Sequence, residues 1–267
     1  MKKYKIHLVS FGKKLLFYAI LIILWQLIFQ VGVKYLGIWK VYTFPSPVTV
    51  GETLKDLMKD NTLWIAVLTS MRRIAIGYSI SLLSGLIIGL IITKSRYLEE
   101  NMKPLILGLQ TLPSICWLPF AILWFGLDES SIIFIIAVGS TFAIAIAIEA
   151  GISTINPLYL KAAKTMGAKG IYKYTHVIFP AALPSVVSGM KQSWSFAWRA
   201  LMAGEMLSAT KGLGQVLMLG RELGDISRVV AVMIVIIVIG LVVDKFVFSR
   251  IEDNVKERWG LSSSNAK

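Results

Sequence analysis

Apolar residues dominate six long stretches of the chain, and each stretch is about the length that a helix needs to cross a bilayer. The hydrocarbon core requires roughly 20 consecutive apolar residues in a helical segment. The stretches lie at about residues 15–31, 74–92, 104–125, 132–151, 181–204 and 229–248. The pattern therefore predicts an all-α integral membrane protein with about six transmembrane helices.

Two of the predicted helices carry residues that favour contact with protein rather than with lipid. In the second, Gly77, Ser81, Gly85 and Gly89 recur at four-residue spacing, and such a stripe lets another helix approach closely. The third contains Pro113 among polar side chains. We expect this helix, which also carries the polar Gln110, to be kinked and packed against protein or a cavity, because lipid cannot satisfy the backbone groups that a proline frees.

The composition agrees with membrane integration. Of the 267 residues, 56% are hydrophobic and only 16% are charged, and a soluble domain of this size needs more charge on its surface. The net charge is +13, and the basic residues that produce it lie beside apolar stretches. We therefore interpret them as signals of membrane topology and expect no nucleic-acid partner. Cys116 is the single cysteine, and the histidines lack ligand spacing, so no disulfide and no metal site are expected.

The basic residues also predict the orientation of the chain. Most of the 28 lysine and arginine residues lie in the two termini and in two loops, 93–104 and 152–180, which all fall on one side of the predicted helices. That side is expected to be cytoplasmic, with both termini inside. The predicted organisation is a cytoplasmic N-terminus (1–14), a membrane domain (15–250) that contains loop 152–180, and a cytoplasmic C-terminal tail (251–267).

Loop 152–180 is amphipathic and basic rather than apolar. In its first half Leu158 and Met166 fall on one helical face, with lysines turned away. After Gly167 and Gly170 a second apolar stripe and a second basic stripe begin. The pattern predicts two short amphipathic helices with a glycine-bearing break. Such a loop suits either a partner protein or the anionic headgroups of the membrane surface.

The spacing within this loop resembles a known family signature. The matching positions and their neighbours are Lys161, Ala162, Ala163, Gly167, Gly170, Val177, Phe179 and Pro180. Permease subunits of bacterial binding-protein-dependent ATP-binding-cassette (ABC) importers have Glu-Ala-Ala, three residues, Gly, nine residues and Ile-x-Leu-Pro in a cytoplasmic loop. Lys161 takes the place of the glutamate. The segments "TFPSP", "PAALPSVVSGMKQSWSFAWRALMAGEML" and "KGLGQVL" are similar to the nitrate, sulfonate and taurine branch of that family.

The resemblance implies a type I ABC importer permease in the bacterial inner membrane. It implies that the loop couples this chain to a separate ATPase, with two ATPase subunits, a second copy of this chain and an extracytoplasmic binding protein as partners. ATP and Mg²⁺ would be bound by the ATPase, with no cofactor in this chain. The implied cargo is a small anion such as an aliphatic sulfonate, taurine or nitrate, while a vitamin precursor or another small nutrient remains an alternative.

Other classes of function find less support in the residues. The chain has no Walker-type phosphate-binding motif, no paired histidines on a helix and no nucleophile elbow, so we expect no catalytic residues. A secondary transporter normally needs more length, repeat symmetry and intramembrane acidic groups. A secondary transporter and a membrane scaffold stay as lesser alternatives.

The fifth predicted helix carries a candidate pathway. Ser188, Lys191, Ser195 and Arg199 recur at three- and four-residue spacing and form one polar face. A charge at the centre of a bilayer costs on the order of 2.5 kcal/mol or more, so its presence marks a candidate site. The face either lines the path of an anion, or Lys191 extends to the membrane surface while Arg199 lies at the outer interface, paired with Glu205.

Five further charged residues lie near helix ends. Arg72 and Arg73 precede the second helix and serve either as interface anchors or as contacts for the binding protein or the anion. Glu149 is interpreted as a charge at the cytoplasmic end of the fourth helix. Asp244 and Lys245, near the end of the sixth, form either a local pair or separate interface charges.

Overall fold

The computed structural model describes residues 2–40 and 42–259, with side chains from residue 12 onward, and the regular elements in these ranges are all helical. The α-helices are α1 (Lys2–Phe29), α2 (Pro47–Lys59), α3 (Thr62–Ile92), α4 (Arg96–Thr111), α5 (Leu118–Phe125), α6 (Glu129–Ser153), α7 (Pro157–Thr165), α8 (Gly170–Lys173), α9 (Phe179–Leu207), α10 (Leu213–Glu222), α11 (Ile226–Val243) and α12 (Ser249–Arg258). A 3₁₀ turn covers Ser114–Trp117, and wide π-type turns cover Gln30–Tyr35, Tyr174–Ile178 and Asp244–Phe248. The all-α prediction is confirmed.

Several of these helices are long and apolar enough to cross a membrane. The segments that qualify are Gly12–Tyr35, Thr62–Ile92, Glu129–Ser153 and Ile226–Arg258, with α4 and Ser114–Phe125 as a fifth if that pair, bent by 96°, is one span. Helix α9 has 29 residues, about 43 Å, which exceeds the hydrocarbon thickness, but its polar face lowers its hydropathy. Six spans with both termini inside therefore stay a prediction.

The bend in the third predicted span has a local cause. Helix α4 ends at Thr111, and Leu112 has extended backbone (φ −68°, ψ 124°) in front of Pro113. A residue before a proline is sterically disfavoured in the helical region, so the helix ends there and restarts in a new direction. The expected kink is thus a sharp break of 96° between two helices.

One compact unit comprises residues up to 65 together with residues 216–235. In it, α1 exposes large apolar side chains around its circumference, as a helix in contact with lipid does. Helix α2 starts after Ser46, whose Oγ accepts a hydrogen bond from the Thr49 N–H at 3.2 Å, and Pro47 occupies its first turn. The Trp25 indole donates to the Pro45 carbonyl at 3.1 Å and fixes the approach to α2.

The second unit, residues 66–215 and 236–267, is built around α6, whose side chains are the most thoroughly buried. Helix α3 packs on it through the predicted small-residue stripe. A Cβ at Gly85 would lie 2.7 Å from the Ile144 Cβ, and a Cβ at Gly89 would lie 2.8 Å from the Ile148 Cβ. The Ser81 hydroxyl also donates to the Ala137 carbonyl at 3.0 Å. The prediction of close helix approach at this stripe is confirmed.

Helix α9 packs against both α6 and α3. A Cβ at Gly189 would overlap Ala147 of α6, so only glycine permits this approach. The Tyr78 hydroxyl donates to the Met190 carbonyl at 2.7 Å, and its ring meets Trp194 edge to face at 5.2 Å. These contacts fix the rotation of α9 about its axis and thereby decide which of its faces is left exposed.

Candidate functional site

The loop between α6 and α9 begins with a well-formed short helix and a glycine turn. The Asn156 side chain accepts a hydrogen bond from the Leu158 N–H at 2.9 Å, and Pro157 occupies the first turn of α7. Gly167 (φ +78°) and Gly170 (φ +54°) follow α7 in the left-handed region, where side chains are strained. The predicted glycine break is therefore confirmed.

The second half of the loop differs from the expectation. Helix α8 passes through Tyr174–Ile178 into α9 with helical backbone, as the dihedrals of Tyr174 (−68°, −47°) and Ile178 (−68°, −54°) show. Pro180 has no backbone N–H, and the wide turn in front of it absorbs the change of hydrogen-bond register. The prediction of a separate second short helix is wrong, because Gly170 begins a helical segment that continues into the membrane domain.

The coupling loop, as we name residues 152–180, presents apolar and basic groups to solvent. Met166 is 86% exposed, Ile171 is 81% exposed and Leu158 is 66% exposed. Such large exposed apolar side chains beside lysines are typical of a surface that docks on a partner. They share this surface with the exposed positions of the family signature, which are Lys161, Ala162, Gly167 and Gly170.

Three other signature positions turn inward, whereas Phe179 is 52% exposed. Ala163 is buried, and Val177 and Pro180 are half-buried. With Trp259 they line a cavity of about 600 Å³ between the two halves of the loop and the end of the described chain. The signature thus combines exposed positions with others that pack the loop on its own chain.

One face of α9 carries exposed polar side chains along most of its length. They are Ser185, Ser188, Gln192, Ser195 and Arg199. The opposite face, including Ala197 and Leu201, is completely buried. Polar groups at membrane depth are costly in lipid, so this face needs water or another protein chain against it.

The half of this face nearer the coupling loop opens on a cavity of about 600 Å³, which we call the polar cavity after the amide and hydroxyl groups that stand among its apolar lining residues. Gln110 of α4 and Ser185, Ser188 and Gln192 of α9 contribute to its lining, with Lys256 at one side. The Gln110 Oε1 atom is buried without a hydrogen-bond partner among the described residues. Amide and hydroxyl groups can donate hydrogen bonds to the oxygens of an anion. Gln110 belongs to the third predicted helix, for which contact with protein or a cavity was expected. Sequence reasoning missed Gln192, although it follows Ser188 at four-residue spacing.

Lys191 is half-buried beside two carboxylates, and of the other three predicted pathway residues only Ser188 shares one of them, since its hydroxyl donates to Glu252 Oε1 at 3.4 Å. The Lys191 ammonium lies 3.2 Å from Asp244 Oδ1 and 3.9 Å from Glu252 Oε2, and it donates to Ser249 Oγ at 3.3 Å. Two carboxylates therefore compensate its charge. Asp244 pairs with Lys191 rather than with its neighbour in sequence, so the alternative of a local Asp244–Lys245 pair is wrong.

Arg199 keeps its place on the exposed face. Its Nε donates to the Ser195 carbonyl at 3.0 Å, and its guanidinium lies 4.8 Å from the centre of the Phe196 ring. The suggested pair between Arg199 and Glu205 is wrong, because Glu205 is completely buried and paired with Arg73. Arg199 thus presents its charge on the half of the polar face that is farther from the coupling loop.

A buried polar cluster lies at the end of the unit opposite to the coupling loop. The Glu205 carboxylate receives Arg73 Nη1 at 2.8 Å, the Gly214 N–H at 3.0 Å and the Ser70 hydroxyl, whose Oγ lies 2.8 and 2.7 Å from the two oxygens. The Leu213 N–H donates to Ser70 Oγ at 3.0 Å. We call this arrangement, with the Arg73 partners described next, the Glu205 cluster.

Arg73 extends the cluster to two further segments. Its Nη2 donates to Thr210 Oγ1 at 3.0 Å, and its Nε lies 3.3 Å from Glu129 Oε1. Arg72 pairs with the other oxygen of Glu129 and is 62% exposed, whereas the Arg73 side chain is 4% exposed. An interface-anchor role for Arg73 is therefore wrong. The only sequence signal for the cluster was the closely spaced glycine pair of "KGLGQVL".

Glu149, near the end of α6, is also completely buried. The Lys103 ammonium lies 2.9 Å from its Oε2. The geometry of this ion pair is not that of a hydrogen bond, and neither carboxylate oxygen has a hydrogen-bond partner among the described residues. The place of Glu149 near the end of α6 agrees with the interpretation from the sequence, which did not foresee its burial.

Residues 82–249 match the family described as the binding-protein-dependent transport system inner membrane component. A transport permease protein of Bacillus subtilis (strain 168), SsuC, assigned to aliphatic sulfonates, is 32% identical over 235 residues, which cover 88% of this chain and 83% of that protein. The nitrate import permease protein NrtB of Synechocystis sp. (strain ATCC 27184 / PCC 6803 / Kazusa) is 26% identical over 238 residues, covering 86% and 84%.

Among solved structures, the fold is similar to that of a chain of the MetNI methionine ABC transporter in an inward-facing conformation. The TM-score is 0.62 at 20% sequence identity, over 73% of this chain and 96% of that one. At this identity the likeness concerns the fold alone, and it agrees with the type I ABC importer permease fold that the signature implied.

Proposed function

The chain belongs to the family of inner-membrane components of binding-protein-dependent transport systems, and on that basis we propose that it forms half of the translocation pathway of an ATP-driven importer. It is a non-catalytic, multi-pass permease subunit of the inner membrane. The observation that carries the proposal is the exposed polar face of α9, which runs along a helix continuous with the coupling loop.

The polar face supports a pathway between two copies of this chain. A single copy leaves Ser188, Ser195 and Arg199 exposed on a helix at membrane depth. Lipid does not satisfy such groups, whereas a second copy facing the first would enclose them around water. We therefore propose a homodimer, with six spans in each copy and both termini in the cytoplasm, as the distribution of basic residues predicts.

The cargo that fits this surface best is a small anion. The amides and hydroxyls of the polar cavity offer hydrogen-bond donors, and Arg199 offers a positive charge without a carboxylate partner among the described residues. Lys191 contributes less, because Asp244 and Glu252 compensate its charge. The names of relatives point to aliphatic sulfonates and nitrate, and we propose one of these classes, delivered by an extracytoplasmic binding protein, as the substrate.

The coupling loop is the proposed contact with two separate ATPase subunits, which would bind ATP and Mg²⁺. Its exposed apolar groups Leu158, Met166 and Ile171 suit a protein groove. The exposed signature positions Lys161 and Ala162 lie on the same surface. Contact with lipid headgroups would use the lysines but would not require the glycine break.

Uptake into proteoliposomes tests this function. The chain is reconstituted with its proposed ATPase and binding-protein partners, and labelled taurine, an alkanesulfonate, nitrate and a neutral nutrient are compared as substrates. We expect uptake of one of the anions that depends on internal ATP and on the binding protein. Uptake driven by an ion gradient without ATP would contradict the proposal, and ATP-driven uptake of the neutral nutrient alone would contradict the anion assignment.

A further inference from the structure

We propose that Glu205 is a positioning residue for transport, because its cluster fastens the outer ends of α3, α6 and α9 into one rigid body that must follow the coupling loop. The inference rests on the proposed ATP-driven cycle, but it concerns residues outside the polar face and outside the loop. None of the Glu205 cluster lines the polar cavity of α9.

The buried carboxylate of Glu205 is fully satisfied. It accepts hydrogen bonds from Ser70, from Arg73 and from the Gly214 N–H, all between 2.7 and 3.0 Å. A buried charge that loses its partner is strongly destabilised, since no water replaces the missing interaction. The partners therefore cannot separate one at a time, and the cluster holds or opens as a whole.

The cluster joins segments that are distant in sequence. Ser70 and Arg73 come from the outer part of α3, Glu129 is the first residue of α6, and Glu205 lies in the last turn of α9. The chain after α9 adds Thr210 and two backbone N–H groups. One carboxylate and one guanidinium thus hold three membrane helices and the chain that follows them.

The glycines of this segment are required by its close approach to Glu205, to the carboxylate at Gly212 and to the base of the side chain at Gly214. A Cβ on Gly212 would lie 2.5 Å from the Glu205 carboxylate oxygens, and a Cβ on Gly214 would lie 2.7 Å from the Glu205 Cβ. Such separations are far below van der Waals contact, so any larger residue forces the segment away from α9. The backbone after α9 is therefore shaped around Glu205.

The position of Glu205 on α9 explains why this matters for transport. Glu205 lies on the buried side of the helix with Leu201, while Ser195 and Arg199 lie on the exposed side. At the other end, α9 continues into α8 of the coupling loop. When the loop moves, a clamped outer end makes α3, α6 and α9 rotate together, whereas a free outer end would let α9 tilt alone.

The test uses two variants that break the cluster in different ways. Glu205→Gln keeps the size of the side chain and removes the charge that faces Arg73. Gly212→Ala keeps every charge and places a methyl group against the carboxylate. The matched controls are Glu100→Gln, which removes the carboxylate of an exposed pair with Arg96, and Gly51→Ala, whose Cβ has open space around it.

The complete complex with ATPase and binding protein is reconstituted, and substrate taken up per ATP hydrolysed is measured with assembly yield and thermal stability. We expect both cluster variants to assemble and hydrolyse ATP while uptake per ATP falls by about fivefold or more, in the range of typical coupling between sites. The two controls should keep the wild-type ratio.

Three results would overturn the inference. The first is a wild-type ratio in both cluster variants, and the second is a loss of assembly and stability in step with uptake at an unchanged ratio, which indicates a purely structural role. The third is a wild-type complex that does not hydrolyse ATP, which contradicts the proposed function as well. The first two leave the proposed function intact, so the two failures are distinguishable.

Discussion

Glu205 and Glu149 are both completely buried in the same helical unit, yet their surroundings differ in kind. Glu205 accepts hydrogen bonds from two side chains and a backbone N–H. Glu149 has the Lys103 ammonium at 2.9 Å and no hydrogen bond to either oxygen among the described residues. Glu129, a member of the Glu205 cluster, begins α6 and Glu149 lies near the end of the same helix, so about 30 Å of α6 separates the cluster from Glu149.

The difference separates a rigid end of the unit from an adaptable one. A network in which every group is satisfied resists rearrangement. A buried carboxylate that pairs with a single lysine gains less free energy from the ion pair than it loses by desolvation. The lysine is therefore more easily exchanged for another partner. Glu149 lies in the last part of α6, just before α7 of the coupling loop. The adaptable end is therefore the end on which the ATPase is proposed to act.

The largest effect is expected when the rigid end is broken. Glu205→Ala leaves the Arg73 guanidinium buried without its main carboxylate, and we expect a loss of about 3–5 kcal/mol in the free energy of unfolding. Titration of the purified chain from mild detergent into denaturing detergent measures it. A loss below about 1 kcal/mol would show that Glu205 contributes no more to stability than a member of an exposed ion pair does.

A substitution in the glycine turn should act on the adaptable end. Gly167→Leu places a branched side chain at φ +78°, which costs about 1–2 kcal/mol locally, so the turn after α7 must rearrange. We expect the chain to insert and dimerise but to retain less ATPase during purification. Gly108→Ala is the control, since its Cβ meets open space. Normal substrate-stimulated ATP hydrolysis in Gly167→Leu would count against the coupling assignment.

Removing the weak pair should change stability least of the three. Joint replacement of Lys103 by Met and Glu149 by Gln removes both charges, and we expect the free energy of unfolding to stay within about 1 kcal/mol of wild type. The same detergent titration compares it with Glu205→Ala. Equal losses in the two variants would remove the distinction between a rigid and an adaptable end.

Arg199→Ala is expected to change the free energy of unfolding by less than about 0.5 kcal/mol, because the side chain is exposed and unpaired with any described carboxylate. Its effect should be on transport, with slower uptake of an anion below saturation. Lys191→Met is the matched comparison, since two carboxylates already compensate that charge. Unchanged anion uptake in Arg199→Ala would make the residue an interface anchor.

Features that follow from local geometry were predictable from the sequence. The stripe of Gly77, Gly85 and Gly89 specifies close packing whatever the partner, and the structure shows that the partner is α6. Gly167 and Gly170 indicated the turn because left-handed backbone favours glycine. These signals depend on residues within one or two turns of the chain, so they can be recognised without knowledge of the tertiary structure.

Contacts between distant segments were not predictable in the same way. Ser70 and Glu205 are 135 residues apart, and Lys191 finds Asp244 and Glu252 across a helix interface. Helical periodicity predicts which residues share a face, but it locates the edge of that face only to within a margin of one position. That margin placed Lys191 on the pathway face and omitted Gln192, and only the packing of α9 on α3 and α6 resolved it.

Native mass spectrometry of the complex, extracted in mild detergent after expression with the neighbouring genes, tests the central claim most directly. The account predicts two copies of this chain with two ATPase subunits, and two copies with fewer or no ATPases for Gly167→Leu. A wild-type chain that folds but runs alone, or only with itself, would contradict the importer assignment and favour a scaffold or a secondary transporter.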